Sequence, residues 1–211
     1  MIDCGTNKDA YSLLKALHDM GLTLKDIHYL LLTHHHSDHV GLVPFLVKEN
    51  PEIRIILSDK CAEILKTGAH HKEDNEKYSS VLLKLTVGPY LKLSKKIKDT
   101  FEAYETRAKD ILIDSDDGLT LTKIGLEGKI LFTPGHTADS ISAIIDDVAF
   151  VGDALRNMLN HAGAAYRPLI SYDVQECEQS IQKIIDTGAQ VICPAHGQPF
   201  EAEKIKIKSE K

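Results

Sequence analysis

Between Leu31 and Gly41 the chain reads LLTHHHSDHVG, an apolar run followed by four histidines and one aspartate within six positions. His34 and His36 stand two apart, so in an extended segment both side chains point to the same side. Asp38 and His39 follow where the chain turns toward a helix beginning near Gly41, so they can face the same cavity from another direction. Imidazole and carboxylate together are a ligand set for zinc, iron or manganese, and the residue types do not separate those metals. The competing reading is a solvated histidine-rich loop. What decides between them is whether other strand ends deliver the remaining donors.

Three do. KILFTPGHT places His136 just after an apolar strand, in a Pro-Gly turn that lets the backbone approach closely. AFVGD sets Asp153 directly after another strand, and VICPAHG sets His196 after the last one. A random scatter of histidines would not put one metal-type donor at each of three further strand ends.

The elements that must position these donors are legible from periodicity. Asp9 to Met20 carries Leu13, Leu14, Leu17 and Met20 at helical spacing, with Gly21 as its stop. Ile27 to Thr33 and Ile53 to Leu57 read as short buried strands, and Leu42 to Lys48 as a helix with Pro44 in its first turn. Asp59 to Lys66 reads as a short helix. A longer helical region is expected over 79–109, broken near Gly88-Pro89, with Tyr90, Leu93, Ile97, Phe101, Tyr104 and Ala108 along one stripe. LTLTKIG, KILFT, SISAIID and VAFVG read as four strands, Val174 to Thr187 as an amphipathic helix, and QVIC as a last strand. Strands and helices mixed throughout predict an α/β or α+β fold.

At 211 residues the chain suits a single domain spanning 1–211. A formal charge of -6 argues against broad nucleic-acid binding, which needs an excess of Lys and Arg. Cys4, Cys61, Cys177 and Cys193 are widely separated and form no CxxC pair, which fits reduced thiols. With no signal-peptide pattern at the N-terminus and no apolar run long enough to span a membrane, a cytoplasmic location is expected.

The order HxHxDH, TPGHT, GD, PAHG resembles the metallo-β-lactamase superfamily in its dinuclear, glyoxalase II-like form, and MIDCGTN resembles the family's strand-end IDxG segment. The resemblance implies an αββα sandwich, here short of the usual first N-terminal strands and carrying a helical insertion at 66–115. It implies two metal ions, zinc with iron or manganese as alternatives. His34, His36 and His136 would bind the first, Asp38, His39 and His196 the second, and Asp153 would bridge. His35 falls on a non-ligand position. Such a pair shares a water and lowers its pKa toward 7, giving a hydroxide for which Asp38 is the expected catalytic partner. Tyr166 and Arg167, in the loop after Asp153, are candidate substrate contacts, with a solvated loop as the competing reading.

Departures from the family narrow the expectation. True β-lactamases of this fold usually lack aspartate at the Asp153 position, and oxygen-reducing diiron relatives usually carry Glu where His36 stands. The expected activity is therefore hydrolysis of an ester, thioester or lactone of a small-molecule acyl substrate. An iron-dependent oxidoreductase or dioxygenase, a phosphodiesterase acting on nucleotides or RNA, and a non-catalytic protein are the alternatives. The early start of the IDxG segment predicts an exposed sheet edge or a homodimer. The 78–109 stretch is expected as a lid, a dimer interface or a helix pair on the surface.

Overall fold

The computed structural model describes residues 1–69, 77–89, 100–117 and 120–206. The strands, in chain order, are β1 (Tyr29–Leu31), β2 (Arg54–Ser58), β3 (Lys77–Tyr78), β4 (Ile111–Ile113), β5 (Gly128–Phe132), β6 (Ile141–Ile145), β7 (Val148–Gly152), β8 (Ile170–Ser171), β9 (Val191–Pro194) and β10 (Phe200–Glu201). The first helices are α1 (Ala10–Asp19), α2 (Ser37–Val40), α3 (Val43–Glu49) and α4 (Asp59–Leu65). These elements form two compact units, one from residues 1–69 and 100–114, the other from 77–89, 115–117 and 120–206. The 66–115 stretch, expected as one helical insertion, is thus divided between the two.

In the first unit β1, β2 and β4 make a parallel sheet in the order β1-β2-β4. Parallel strands need covered crossovers, and near-continuous apolar runs are their signature. Leu30, Leu32, Ile55, Ile56 and Leu57 are all buried, with α2 and α3 in the connection between β1 and β2. Ile2 extends this sheet by a parallel bridge to Leu31. The Leu31 N–H donates to the Met1 carbonyl (3.0 Å) and the Asp3 N–H to the Leu31 carbonyl (2.9 Å). α3 carries Pro44 in its first turn as expected. Ser58 caps α4, its hydroxyl accepting from the Cys61 N–H at 3.1 Å.

Phe101 and Tyr104 are buried with Leu65 and Ala62 in this unit's core, but residues 101–107 form no helix. The expected stripe from Tyr90 to Ile97 lies outside the described residues. Tyr104 instead serves a polar knot that ties its loop to β2. The Arg107 guanidinium donates to Asp110 Oδ1 (2.8 Å) and to the Ile53 carbonyl (2.6 Å), and Asp110 Oδ1 also accepts the Ile55 N–H (3.1 Å). The Tyr104 hydroxyl donates to the same carboxylate. Burial alone would raise the Asp110 pKa, but the hydrogen bonds from Arg107 and Tyr104 win and hold it below the usual carboxylate range.

The second unit carries a five-stranded sheet in the order β10-β9-β7-β6-β5, antiparallel except for β7 with β9, and a two-stranded pairing of β3 with β8. A turn at Asp146-Asp147 joins β6 to β7, with Asp146 at φ 52°. The helix Val174–Ile185 packs Cys177, Ile181 and Ile184 into the core, and its N-cap Asp173 accepts from the Gln175 and Glu176 N–H groups (2.8 and 2.9 Å).

One strand expectation fails here. LTLTKIG alternates apolar and polar residues, yet Thr120–Lys123 is a helical turn. Asp117 accepts from the Thr120 N–H (2.8 Å) and hydroxyl (2.6 Å), a capping interaction that closes the turn, and buried Leu121 faces inward from it. Among the described residues no helix is long and apolar enough to cross a membrane.

Candidate metal centre

In the first unit the chain leaves β1 extended through Thr33 and turns at His36 into the four-residue α2, whose His39 and Val40 N–H groups return to the His36 carbonyl (2.9 and 3.1 Å). Gly41 ends that turn. A Cβ there would lie 2.6 Å from both the Asn7 nitrogen and the Ser37 carbonyl oxygen, so no larger residue fits. The turn gathers several imidazoles close together. Ring centroids of His34 and His36 stand 4.5 Å apart, and those of His34 and His39 4.0 Å. Asp38 Oδ1 lies 3.7 Å from His39 Nε2. His34 and His39 are buried, whereas the Asp38 side chain is 43% exposed and open to solvent. His35 is fully buried, with its ring 4.9 Å from that of His36.

Asp3 sets the chemistry of this cluster. Its carboxylate accepts from the Thr33 N–H (2.8 Å), from the Thr33 hydroxyl (2.8 Å) and from His39 Nδ1 (2.7 Å). A carboxylate can only accept, so His39 Nδ1 carries the proton and the neutral ring keeps its lone pair on Nε2. The Thr33 proton is used on Asp3, so the 3.0 Å contact between Thr33 Oγ1 and His34 Nδ1 has Nδ1–H donating, which leaves Nε2 of His34 as the donor atom too. The sequence marked Asp3 by its segment but gave it no role. In the structure Asp3 takes a left-handed conformation (φ 51°), an uncommon backbone that local structure must enforce and that the sequence does not show.

In the second unit each donor comes from a different strand end. His136 follows β5 in a turn whose Gly135 has φ 129°. A Cβ at Gly135 would sit 2.4 Å from Cys177 N and Cα, so the loop can lie against the helix Val174–Ile185 only with glycine there. The Ile170 carbonyl takes the His136 Nδ1 proton at 2.8 Å, again leaving Nε2 for a ligand. Asp153 follows β7 and is 4% exposed, and His196 follows β9, where the Ala195 N–H donates to the Gly152 carbonyl (2.9 Å). Asp153 directs one oxygen to each imidazole: Oδ2 lies 3.5 Å from His136 Nε2 and Oδ1 3.5 Å from His196 Nε2. A carboxylate so placed can bridge two cations.

The donor chemistry fits metal binding, with the Nε2 lone pairs of His34, His39 and His136 set by outer hydrogen bonds and carboxylates beside the imidazoles. The Cys4 thiol donates to the His39 carbonyl at 3.1 Å, and burial pushes its pKa up to about 12.

Tyr166 and Arg167 have structural partners. The Arg167 guanidinium is 4% exposed and donates to Glu178 through Nε and Nη2 (2.8 Å each), to the Ala165 carbonyl (2.8 Å) and to the Lys206 carbonyl (2.7 Å). Tyr166 stacks on Phe200 with centroids 4.5 Å apart. The loop is thus not solvated at Arg167, and its donors are committed inside the unit.

A parallel sheet in one unit and a mixed sheet in the other, with imidazoles and carboxylates at their strand ends, define a class of metal-binding α/β proteins. The family profile described as the metallo-β-lactamase superfamily matches residues 1–196, and the chain belongs to that superfamily. Among curated relatives it is 26% identical over 174 residues to a metallo-β-lactamase fold-containing protein of Sulfurisphaera tokodaii, covering 82% of this chain and 62% of that one. It is 24% identical to an atrochrysone carboxyl ACP thioesterase of Aspergillus fumigatus (86% and 42% covered) and 27% identical to a hydroxyacylglutathione hydrolase of Pseudoalteromonas translucida (69% and 38% covered). The chain thus spans less than two thirds of the length of these relatives. Among solved structures, a metallo-β-lactamase family protein of Thermus thermophilus superposes with a TM-score of 0.65 at 21% identity, covering 96% of this chain and 66% of that one, which shows the shared fold.

Proposed function

We propose that the two donor clusters together hold two metal ions, zinc being the reference choice, and that the protein hydrolyses an ester, thioester or lactone of a small acyl substrate. The observation that carries this reading is the set of fixed tautomers. His34, His39 and His136 each commit Nδ1 to a protein acceptor, which leaves Nε2 for coordination. An arrangement for mere packing has no need to orient three imidazoles in the same sense. Two such cations, when bound, supply Lewis acidity and bring the pKa of a shared water toward 7. Asp38, exposed beside His39, is placed to orient the attacking water and accept its proton. Asp153 offers one oxygen toward each of His136 and His196, so it couples the two ligand sets. Support for acyl substrates comes from two relatives, which are by name a thioesterase and a hydroxyacylglutathione hydrolase.

The test is elemental analysis of protein purified without added metal, read with turnover of a panel of thioesters, lactones and bis-p-nitrophenyl phosphate. About two equivalents of zinc with acyl hydrolysis is the expected result. One equivalent of iron with oxygen-dependent turnover, or cleavage of the phosphodiester alone, would replace this reading.

A further inference from the structure

Three described arginines are largely buried, and they differ in what their donors meet. A guanidinium has five N–H donors and no acceptor. Arg107 is satisfied by Asp110 and by the carbonyls of Pro51 and Ile53, and Arg167 by Glu178 and the carbonyls of Ala165 and Lys206. Arg156 is not. Its side chain is 13% exposed, its Nε is buried with no hydrogen-bond partner among the described residues, and its Nη2 meets only the weak acceptor Met158 Sδ at 4.0 Å. Its charge partner is Asp153, with Nη1 3.4 Å from Oδ2, beyond a good hydrogen bond.

The backbone around Arg156 is nevertheless held firmly. The Arg156 N–H donates to the Tyr166 carbonyl (2.9 Å), and the next N–H, of Asn157, donates to the His196 carbonyl (3.0 Å). The Asn157 side chain donates to the Gln198 carbonyl (2.9 Å). The Gly197 backbone (φ 97°) packs so close to Asn157 that a Cβ would lie 2.3 Å from the Asn157 carbonyl oxygen. A cation is thus fixed between Asp153 and the loop that bears His196, with donors to spare in a place where unmet donors are costly.

We infer that Arg156 is the specificity-determining residue of this site, and that it binds an oxyanion, carboxylate or phosphate, carried by the substrate next to its scissile acyl group. This rests on the acyl-hydrolase reading above. When cations draw on the Asp153 carboxylate, less of its charge remains to offset Arg156, and an incoming anion restores the balance. The guanidinium fork suits a two-oxygen partner, which an ammonium does not match.

The test uses the full chain and three thiophenyl esters of equal acyl length, ending in a methyl group, a carboxylate or a phosphate. The wild type should favour one of the anionic esters over the neutral one by roughly 10- to 100-fold in kcat/KM, the scale of charge-assisted hydrogen bonds, and mainly through KM. Whichever anion is preferred identifies the source. Arg156→Met should collapse that ratio, and Arg156→Lys should retain part of it. Independently of turnover, calorimetric titration of the zinc-loaded protein with succinate and with inorganic phosphate should show binding that weakens at least about tenfold in Arg156→Met, the lower end of the same scale. Equal losses on all three esters with an unchanged ratio and unchanged anion binding would mean that Arg156 only steadies Asp153, and the inference would fall. If no ester is hydrolysed, the acyl reading fails while the anion titration still decides the role of Arg156.

Discussion

The two donor clusters reach similar chemistry by opposite routes. The first unit draws His34, His36, Asp38 and His39 from one short loop, and side chains, Asp3 and Thr33, set its imidazole protons. The second draws His136, Asp153 and His196 from three strand ends, and a backbone carbonyl, that of Ile170, orients its histidine. A local cluster depends on a few side chains that a single substitution can remove. A dispersed one depends on strand register, here the parallel pairing of β7 with β9, which no one side chain controls. The first cluster should therefore be fragile to outer substitutions, and the second to loss of the unit that holds it.

Ligand removal should have the largest effect and test both clusters alike. His34→Ala with His36→Ala, and separately His136→Ala, should each lower metal content and cut turnover by more than the roughly 10–100-fold typical of outer partners. Unchanged stoichiometry by elemental analysis in either variant would break the assignment of that cluster.

The dispersed cluster should respond next, through its scaffold. Arg167→Met leaves Glu178 without its bidentate partner in a buried setting, and breaking such a pair costs about 3–5 kcal/mol. Denaturant unfolding would measure it. A loss under about 1 kcal/mol, typical of exposed pairs, would show that the ion pair does not hold the unit together.

The local cluster has an outer residue to remove. Asp3→Asn keeps the size but replaces one carboxylate oxygen by a donor, so the Thr33 N–H, the Thr33 hydroxyl and the His39 Nδ1–H can no longer all be satisfied. Metal affinity should drop roughly 10–100-fold, read by competition with a chromogenic chelator. In the second cluster the acceptor that orients His136 is the Ile170 carbonyl, a main-chain group that side-chain substitution leaves in place.

The smallest effect expected is on the first unit's stability toward acid. The folded-state pKa of Asp110 is depressed, so its contribution is fully present above the unfolded value of about 3.9 and is lost as the pH falls through the folded value. Asp110→Asn should cost about 1–3 kcal/mol at neutral pH. The gap to wild type should close as the medium is acidified below pH 4. A gap independent of pH would mean that packing, not charge, carries the knot.

The same contrast explains what could be read in advance. The local cluster was legible because its spacing alone places His34 and His36 on one side. The dispersed donors were legible because each follows an apolar run that had to be a strand. Features set by distant partners were not. LTLTKIG alternates like a strand, but Asp117 caps it into a turn. Phe101 and Tyr104 sit at helical spacing, yet burial in the first unit's core and the Arg107–Asp110 knot fix them in a loop. Arg167 looked like a substrate contact because Glu178, on a helix still to come, could not be paired with it by spacing. Arg156 gave no signal at all, since what marks it is the mismatch between its donors and the acceptors around it.

The hydrogen-bonded thiol of Cys4 has a practical consequence. Burial holds its pKa up at about 12, so the thiol stays protonated at neutral pH. Alkylating reagents and peroxide should pass it by, so the strand end that anchors His39 stays chemically intact in air, where a thiolate beside an imidazole would be consumed.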